Sequence, residues 1–230
     1  MESGLAEGGE AARSHPRFSS IALRTAPLFF AVFVFAISFG VLARAAHLPS
    51  WLIILMSAVV FSGSAQFAAV GTLVAGGGVV AAFLAASLVN LRYLALGAAV
   101  APVLPGGRLR RMLLGQLIVD ESYALGVGAG TAGRPEPRTM LLSGALLWLA
   151  WLSGTVAGAL MGPIFSDPKE LGLDAAFPVA FLALLWPLLR SRRLVLAAVG
   201  GAVVALLMAP FTPPGIPLLG AAIAGLLLWR

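Results

Sequence analysis

Apolar residues run in long blocks along this chain, and few polar residues interrupt them. The blocks cover Thr25–Ala43, Trp51–Val74, Val79–Ala101, Met112–Thr131, Thr139–Met161, Ala175–Leu189, Leu194–Ala209 and Ile216–Trp229. A helix crossing the ~30 Å hydrocarbon core needs about 20 residues, and several blocks reach that length. The last three are shorter and fit tilted or broken helices. Proline punctuates the joins between blocks, whereas Pro27, Pro178 and Pro187 lie inside blocks or near their ends, where proline kinks or starts a helix. The pattern predicts an all-α, polytopic transmembrane bundle of about 7–8 membrane segments, at least one broken or re-entrant.

Residues 1–20 are polar, Gly-rich and of mixed charge, which predicts a disordered cytoplasmic tail ahead of a single transmembrane transport domain over 21–230. Ala43-Arg44-Ala45 has the small-x-small form of a leader cleavage site. The apolar block before it exceeds the 7–15 residues usual for a leader core, so it reads as the first span.

Loop arginines set the orientation. Eight straight crossings with the N-terminus inside place Arg13, Arg17, Arg24, Arg134, Arg138, Arg190, Arg192, Arg193 and Arg230 inside, and the acidic loop Asp167–Asp174 outside. They also leave Arg108, Arg110 and Arg111 outside, on the wrong side. If one early block and Met112–Thr131 each fold back, that cluster moves inside and the rest stays put. Both topologies remain open from the sequence. A faint repeat relates Gly40–Ser57 to Gly158–Phe181.

Composition agrees with the pattern. The chain is 60% apolar and 10% charged, against about 45–50% and 25% in soluble domains. It has no Cys, hence no disulfide or thiolate metal site, and only His15 and His47, too sparse for a metal centre. The net charge of +6 comes from arginines at the ends of apolar blocks, a membrane-anchoring pattern rather than a nucleic-acid footprint. No phosphate-binding loop, zinc-protease motif or Ser-His-Asp set is present, so neither enzymatic activity nor a cofactor is expected.

The informative residues are polar ones inside apolar blocks. Phe61-Ser62-Gly63-Ser64-Ala65-Gln66-Phe67 puts hydroxyls, an amide and bare backbone where a lipid-facing helix would need none. Irregular or polar backbone survives at that depth only where protein or a water-filled cavity covers it. The stretch therefore reads as the wall of a binding site, with close helix packing through its small residues as the competing reading. Asn90-Leu91-Arg92-Tyr93 and Asp120-Glu121-Ser122-Tyr123 place charges near the middle of two other blocks. Uncompensated charge is costly in a bilayer, which predicts that Arg92 faces Asp120 or Glu121. Neighbours on a helix point about 100° apart, so only one can face it squarely. The pair is either a structural lock or a site for substrate and a coupling proton. Gly154, Gly158 and Gly162, at four-residue spacing, predict a helix-packing face.

The string Ser57-Ala58-Val59-Val60-Phe61-Ser62-Gly63-Ser64-Ala65-Gln66-Phe67, with the following Ala68–Gly71 and Asn90-Leu91-Arg92-Tyr93, closely resembles the AzlC family of branched-chain amino-acid permeases. Phe39-Gly40-Val41-Leu42-Ala43 and Leu171-Gly172-Leu173-Asp174 are similar to that family too, and the likeness runs over about residues 25–190. Its enterobacterial relatives are the large subunit of a two-component valine exporter. The resemblance implies export of Leu, Ile or Val across the bacterial cytoplasmic (inner) membrane, with a small AzlD-type membrane subunit as partner.

For a zwitterionic substrate, Arg92 or freed amides near Gly63, Ser64 and Ala65 would take the carboxylate. Gln66, Asn90, Asp120, Glu121 or carbonyls of the break would take the ammonium, and Phe61 and Phe67 would line an apolar pocket beside Ser62 and Tyr93. A carboxylate at Asp120 or Glu121 would carry a coupling proton. Two other classes remain: a channel-like facilitator of another small solute, and a non-transporting scaffold subunit.

Overall fold

The computed structural model describes residues 16–131, 134–162, 191–212 and 216–229, together with Leu182 and Leu189. Most of the tail, of the block Ala175–Leu189 and of the second half of the faint repeat, and all of the acidic loop Asp167–Asp174, lie outside the described residues. The described residues form the helices α1 (Phe18–Ala45), α2 (Ser50–Val60), α3 (Gly63–Val74), α4 (Val79–Asn90), α5 (Arg92–Val100), α6 (Arg108–Gly115), α7 (Asp120–Ala129), α8 (Pro137–Met161), α9 (Arg192–Met208) and α10 (Ile216–Trp229), joined by turns. Helices α1 and α8 are each long and apolar enough to cross a membrane, and α4 with α5, bent by 40° at Leu91, makes a third candidate. Pro27 lies inside α1, which continues through it.

Among the described residues, helices α1 and α8 make the most extensive contact. Gly154 packs on the backbone of Phe33, Gly158 on Ile37 and Gly40, and Gly162 on the Arg44 side chain. The residue numbers rise together on both sides, so the two helices run parallel. A Cβ at Gly158 would lie 3.0 Å from the Gly40 Cα and closer still to the Ile37 carbonyl. The glycines therefore set the approach, as small residues do where lipid supplies no hydrophobic drive between helices.

The second apolar block is two helices. Phe61 takes a left-handed conformation (φ 41°, ψ 49°) and Ser62 an extended one (φ −139°), which ends α2 and starts α3. The Gln66 amide donates to the Ser57 hydroxyl at 2.9 Å. Nine residues of straight helix would separate these two by about 13.5 Å along the axis, beyond the reach of their side chains. Helix α3 therefore folds back along α2. A Schellman-type turn closes α3, with Gly77 N–H on the Thr72 carbonyl at 2.8 Å and Gly76 at φ 82°, and leads to α4, which packs on α3. His47 (φ 63°) closes α1 in the same way, with Leu48 N–H on the Ala43 carbonyl at 3.1 Å.

The fourth block is also broken, into α6 and α7 across 116–119. Val100 and Leu104, at the end of α5, cluster with Ile118 and with Met140 in the first turns of α8. Pro105 shares a surface cavity with Glu136, Pro137 and Arg138. The 101–107 turn thus lies at the N-terminal end of α8. Because α1 is parallel to α8, Arg17, Arg108, Arg110, Arg111, Arg134 and Arg138 gather at one end of the bundle, and Arg44 and His47 mark the other. The folded-back alternative requires this grouping of arginines.

The core lies between α1, α3 and α8. Phe39, Phe67 and Trp151 are buried, with Phe35 partly so. Phe35 stacks on Phe67 at 4.7 Å between ring centres and Phe39 on Trp151 at 5.7 Å, and such pairs contribute about 0.5–1.5 kcal/mol beyond burial. Helices α9 and α10 pack on each other.

Candidate functional site

Three helix breaks meet at one place. At the first, Ser62 and Gly63 separate α2 from α3; at the second, Leu91 bends α4 into α5; at the third, Asp120 opens α7 after an extended Val119 (φ −124°). The Ser122 hydroxyl accepts the Val119 N–H at 3.0 Å, which caps the new helix.

Polar contacts lace the breaks together. Ser62 donates to the Asn90 Oδ1 at 2.7 Å, Arg92 donates to the Ser64 Oγ at 2.9 Å, and the Gln116 amide donates to the Val59 carbonyl. Arg92 Nη1 lies 2.6 Å from Asp120 Oδ2. The predicted pair is present, and Asp120 is the carboxylate that forms it. Asp120 and Glu121 also occupy the first turn of α7, where a carboxylate is favoured by the helix dipole.

The pair is open rather than sealed: the Arg92 and Asp120 side chains are 43% and 48% exposed. They line a cavity of about 110 Å³ with Ser64, Glu121, Tyr93 and Trp151. Phe61 and Gly63 line it too, and Phe35, Val32, Leu147 and Val119 make its apolar wall. Its lining includes Gly63 and Ser64 in the first turn of α3 and Asp120 and Glu121 in the first turn of α7, where helix amides lack intrahelical acceptors. The Arg92 guanidinium sits 5.2 Å from the centre of the Tyr93 ring, a cation–π distance. The cavity therefore offers a cation, two carboxylates, a hydroxyl and an apolar wall within one small volume. Among the described residues, no three His, Asp or Glu side chains gather as a metal site would require.

Of the residues singled out in the sequence, Phe61, Gly63, Ser64, Arg92, Tyr93, Asp120 and Glu121 line this cavity. Ser62 and Asn90 line a neighbouring one of about 240 Å³. Gln66 and Phe67 line neither; both are 1% exposed. The Gln66 amide is consumed internally, donating to Ser57 and accepting the Trp151 indole N–H at 2.9 Å each. Ser57 continues the chain to Thr155 at 3.0 Å. The structure thus makes Gln66 the tie between the folded-back pair and α8.

Sequence reasoning passed over Trp151, the hub of the site. Its ring covers Gly63, where a Cβ would meet it at 2.7 Å, and it joins the Phe39 stack and lines the cavity. The available signal was an indole N–H in mid-span, a donor that needs a partner when buried.

The AzlC protein family matches residues 27–165, which contain every residue of the site. An uncharacterized membrane protein of Archaeoglobus fulgidus is 32% identical over 206 residues, covering 88% of this chain and 89% of that protein. No solved structure matches the chain. The match over more than half the sequence, on a helical chain with spans able to cross a membrane, shows that this membrane protein belongs to the AzlC family.

Proposed function

We propose that the chain is the large subunit of a secondary transporter that exports branched-chain amino acids across the cytoplasmic membrane. The observation that carries this reading is the open Arg92–Asp120 pair beside an apolar wall. A branched-chain amino acid is a zwitterion with an apolar tail, and the cavity is its complement. Its carboxylate replaces Asp120 on Arg92, with Ser64 and the first-turn amides as further donors. Its ammonium takes Asp120, and the aliphatic tail packs toward Phe35, Leu147 and Trp151. As a structural lock, a half-exposed ion pair adds only about 0–1 kcal/mol.

In this reading the arginine-rich end is cytoplasmic, α1, α4–α5 and α8 cross, and α2–α3 and α6–α7 enter from opposite faces and return. The remaining segments bring the total to seven or so. Glu121, which shares the cavity but not the ion pair, carries the coupling proton. A small AzlD-type membrane subunit completes the transporter.

Binding tests the reading directly. A ligand that binds only the folded protein raises stability by RT ln(1 + [L]/Kd), about 2.7 kcal/mol at a hundredfold excess over Kd. Leucine, isoleucine or valine should raise the Tm of the purified protein with its small partner, and Arg92→Ala should abolish the rise. Equal stabilisation of parent and Arg92→Ala would remove the cavity from the reading.

A further inference from the structure

The two cavities at the helix breaks touch at two residues. The smaller, about 110 Å³, contains the Arg92–Asp120 pair. The larger, about 240 Å³, lies between the end of α2, the length of α5 and the α6–α7 break. Phe61 and Tyr93 are the residues that line both. Along α5 the larger cavity runs from Tyr93 past Gly97 to Val100, and Val100 belongs to the cluster at the arginine-rich end. It therefore lies on the arginine-rich side of Tyr93, and the charge pair lies beyond.

Phe61 is unusual in its backbone as well as its place. A bulky side chain at positive φ is an outlier, and such strain persists only where the surroundings impose it, often at clamps and switches. Here it stands at the fold-back of α2 and α3 and is 6% exposed. Tyr93 is tied to the charge pair through the guanidinium face contact with Arg92. A solute that changes what Arg92 holds therefore also acts on the ring beside it.

We propose that Phe61 and Tyr93 form a two-ring gate between a vestibule facing the arginine-rich end and the charge-paired site, and that an amino-acid-sized solute must displace it to reach Arg92 and Asp120. The inference rests on the transport reading for the identity of the solute. Its test needs no solute, so the gate and the substrate class fail separately.

The chain has no cysteine, so single cysteines report access without background. Gly97→Cys places a thiol in the vestibule and Ser64→Cys places one beyond the gate. Both are exposed to a small anionic, membrane-impermeant methanethiosulfonate in vesicles that present the arginine-rich end. A gate open in about 1–10% of molecules slows access by about ten- to a hundredfold. Gly97→Cys should react readily and Ser64→Cys at least tenfold more slowly. Tyr93→Ala and Phe61→Ala should each speed Ser64→Cys by about tenfold, leaving Gly97→Cys unchanged as the check on folding. Tyr93→Phe, which keeps the ring, should leave Ser64→Cys slow. Equal rates at the two cysteines in the parent, or a Ser64→Cys rate that neither truncation changes, would overturn the gate.

Discussion

Gln66 reaches back across a helix break to donate to Ser57 at 2.9 Å, and the same amide accepts the Trp151 N–H at 2.9 Å. These two bonds fix the fold-back of α3 on α2 and seat both against α8. Gln66→Leu keeps the volume but leaves the buried Trp151 indole N–H without its acceptor and the Ser57 hydroxyl without the amide donor. An unsatisfied buried group costs about 1–3 kcal/mol. The variant should unfold at lower temperature than the parent in detergent. Trp151→Phe should lower it too, and the double variant should fall by less than the two effects added, since both remove one bond. An unchanged Tm in Gln66→Leu would show that the bond does not hold the fold-back.

The glycine seam between α1 and α8 gives a sharper contrast. A side chain at Gly158 meets the backbone of Ile37 and Gly40, which cannot give way. Overpacking costs about 1–3 kcal/mol and often more when backbone must move. Gly158→Leu should therefore reduce folded yield strongly. Gly97 has nothing within 4 Å of a built Cβ, and Gly97→Ala should stay within about 0.5 kcal/mol of the parent. Equal tolerance at the two positions would contradict the parallel packing of α1 and α8.

The placement of Arg110 decides the topology. The turn before it lies beside Pro137 and Arg138, so Arg110→Cys and Arg138→Cys should label from the same membrane side. His47→Cys should label from the other. Labelling of Arg110→Cys together with His47→Cys would mean that both blocks cross straight through.

Much of this was legible in the sequence because bilayer burial makes polar residues costly. That argument singled out the Phe61–Phe67 stretch, within which the helix breaks, and the Arg92 pairing before any contact was visible. Four-residue glycine spacing found the packing face of α8, though not its partner α1. The choice of Asp120 over Glu121 was not legible, since it depends on where the third break falls, at Val119. Gln66 was read as a substrate group because its need for partners was clear and their identity was not. Trp151 and Ser57, which satisfy it, sit 85 and 9 residues away and look like ordinary span residues. The arginine bias suggested folded-back segments, and the Gln66–Ser57 distance supplied the geometry for one of them.

The two carboxylates should separate in function. Asp120 holds Arg92, so Asp120→Asn removes the partner charge and should impair binding and export together. Glu121 lines the cavity without joining the pair. Glu121→Gln should keep leucine binding within severalfold of the parent yet lose the response of efflux to an imposed pH gradient. Full pH-driven efflux in Glu121→Gln would assign the coupling elsewhere.

The central claim is that the Arg92–Asp120 pair is a transport site. The most direct measurement is efflux of preloaded, labelled leucine or valine from cells lacking their own exporters, with this chain and its small partner expressed together. The account predicts efflux from the parent and, from Arg92→Ala at equal membrane abundance, a loss of at least about tenfold, the 1.4 kcal/mol that a single lost charge-assisted contact supplies. Efflux from Arg92→Ala at the parental rate would contradict it.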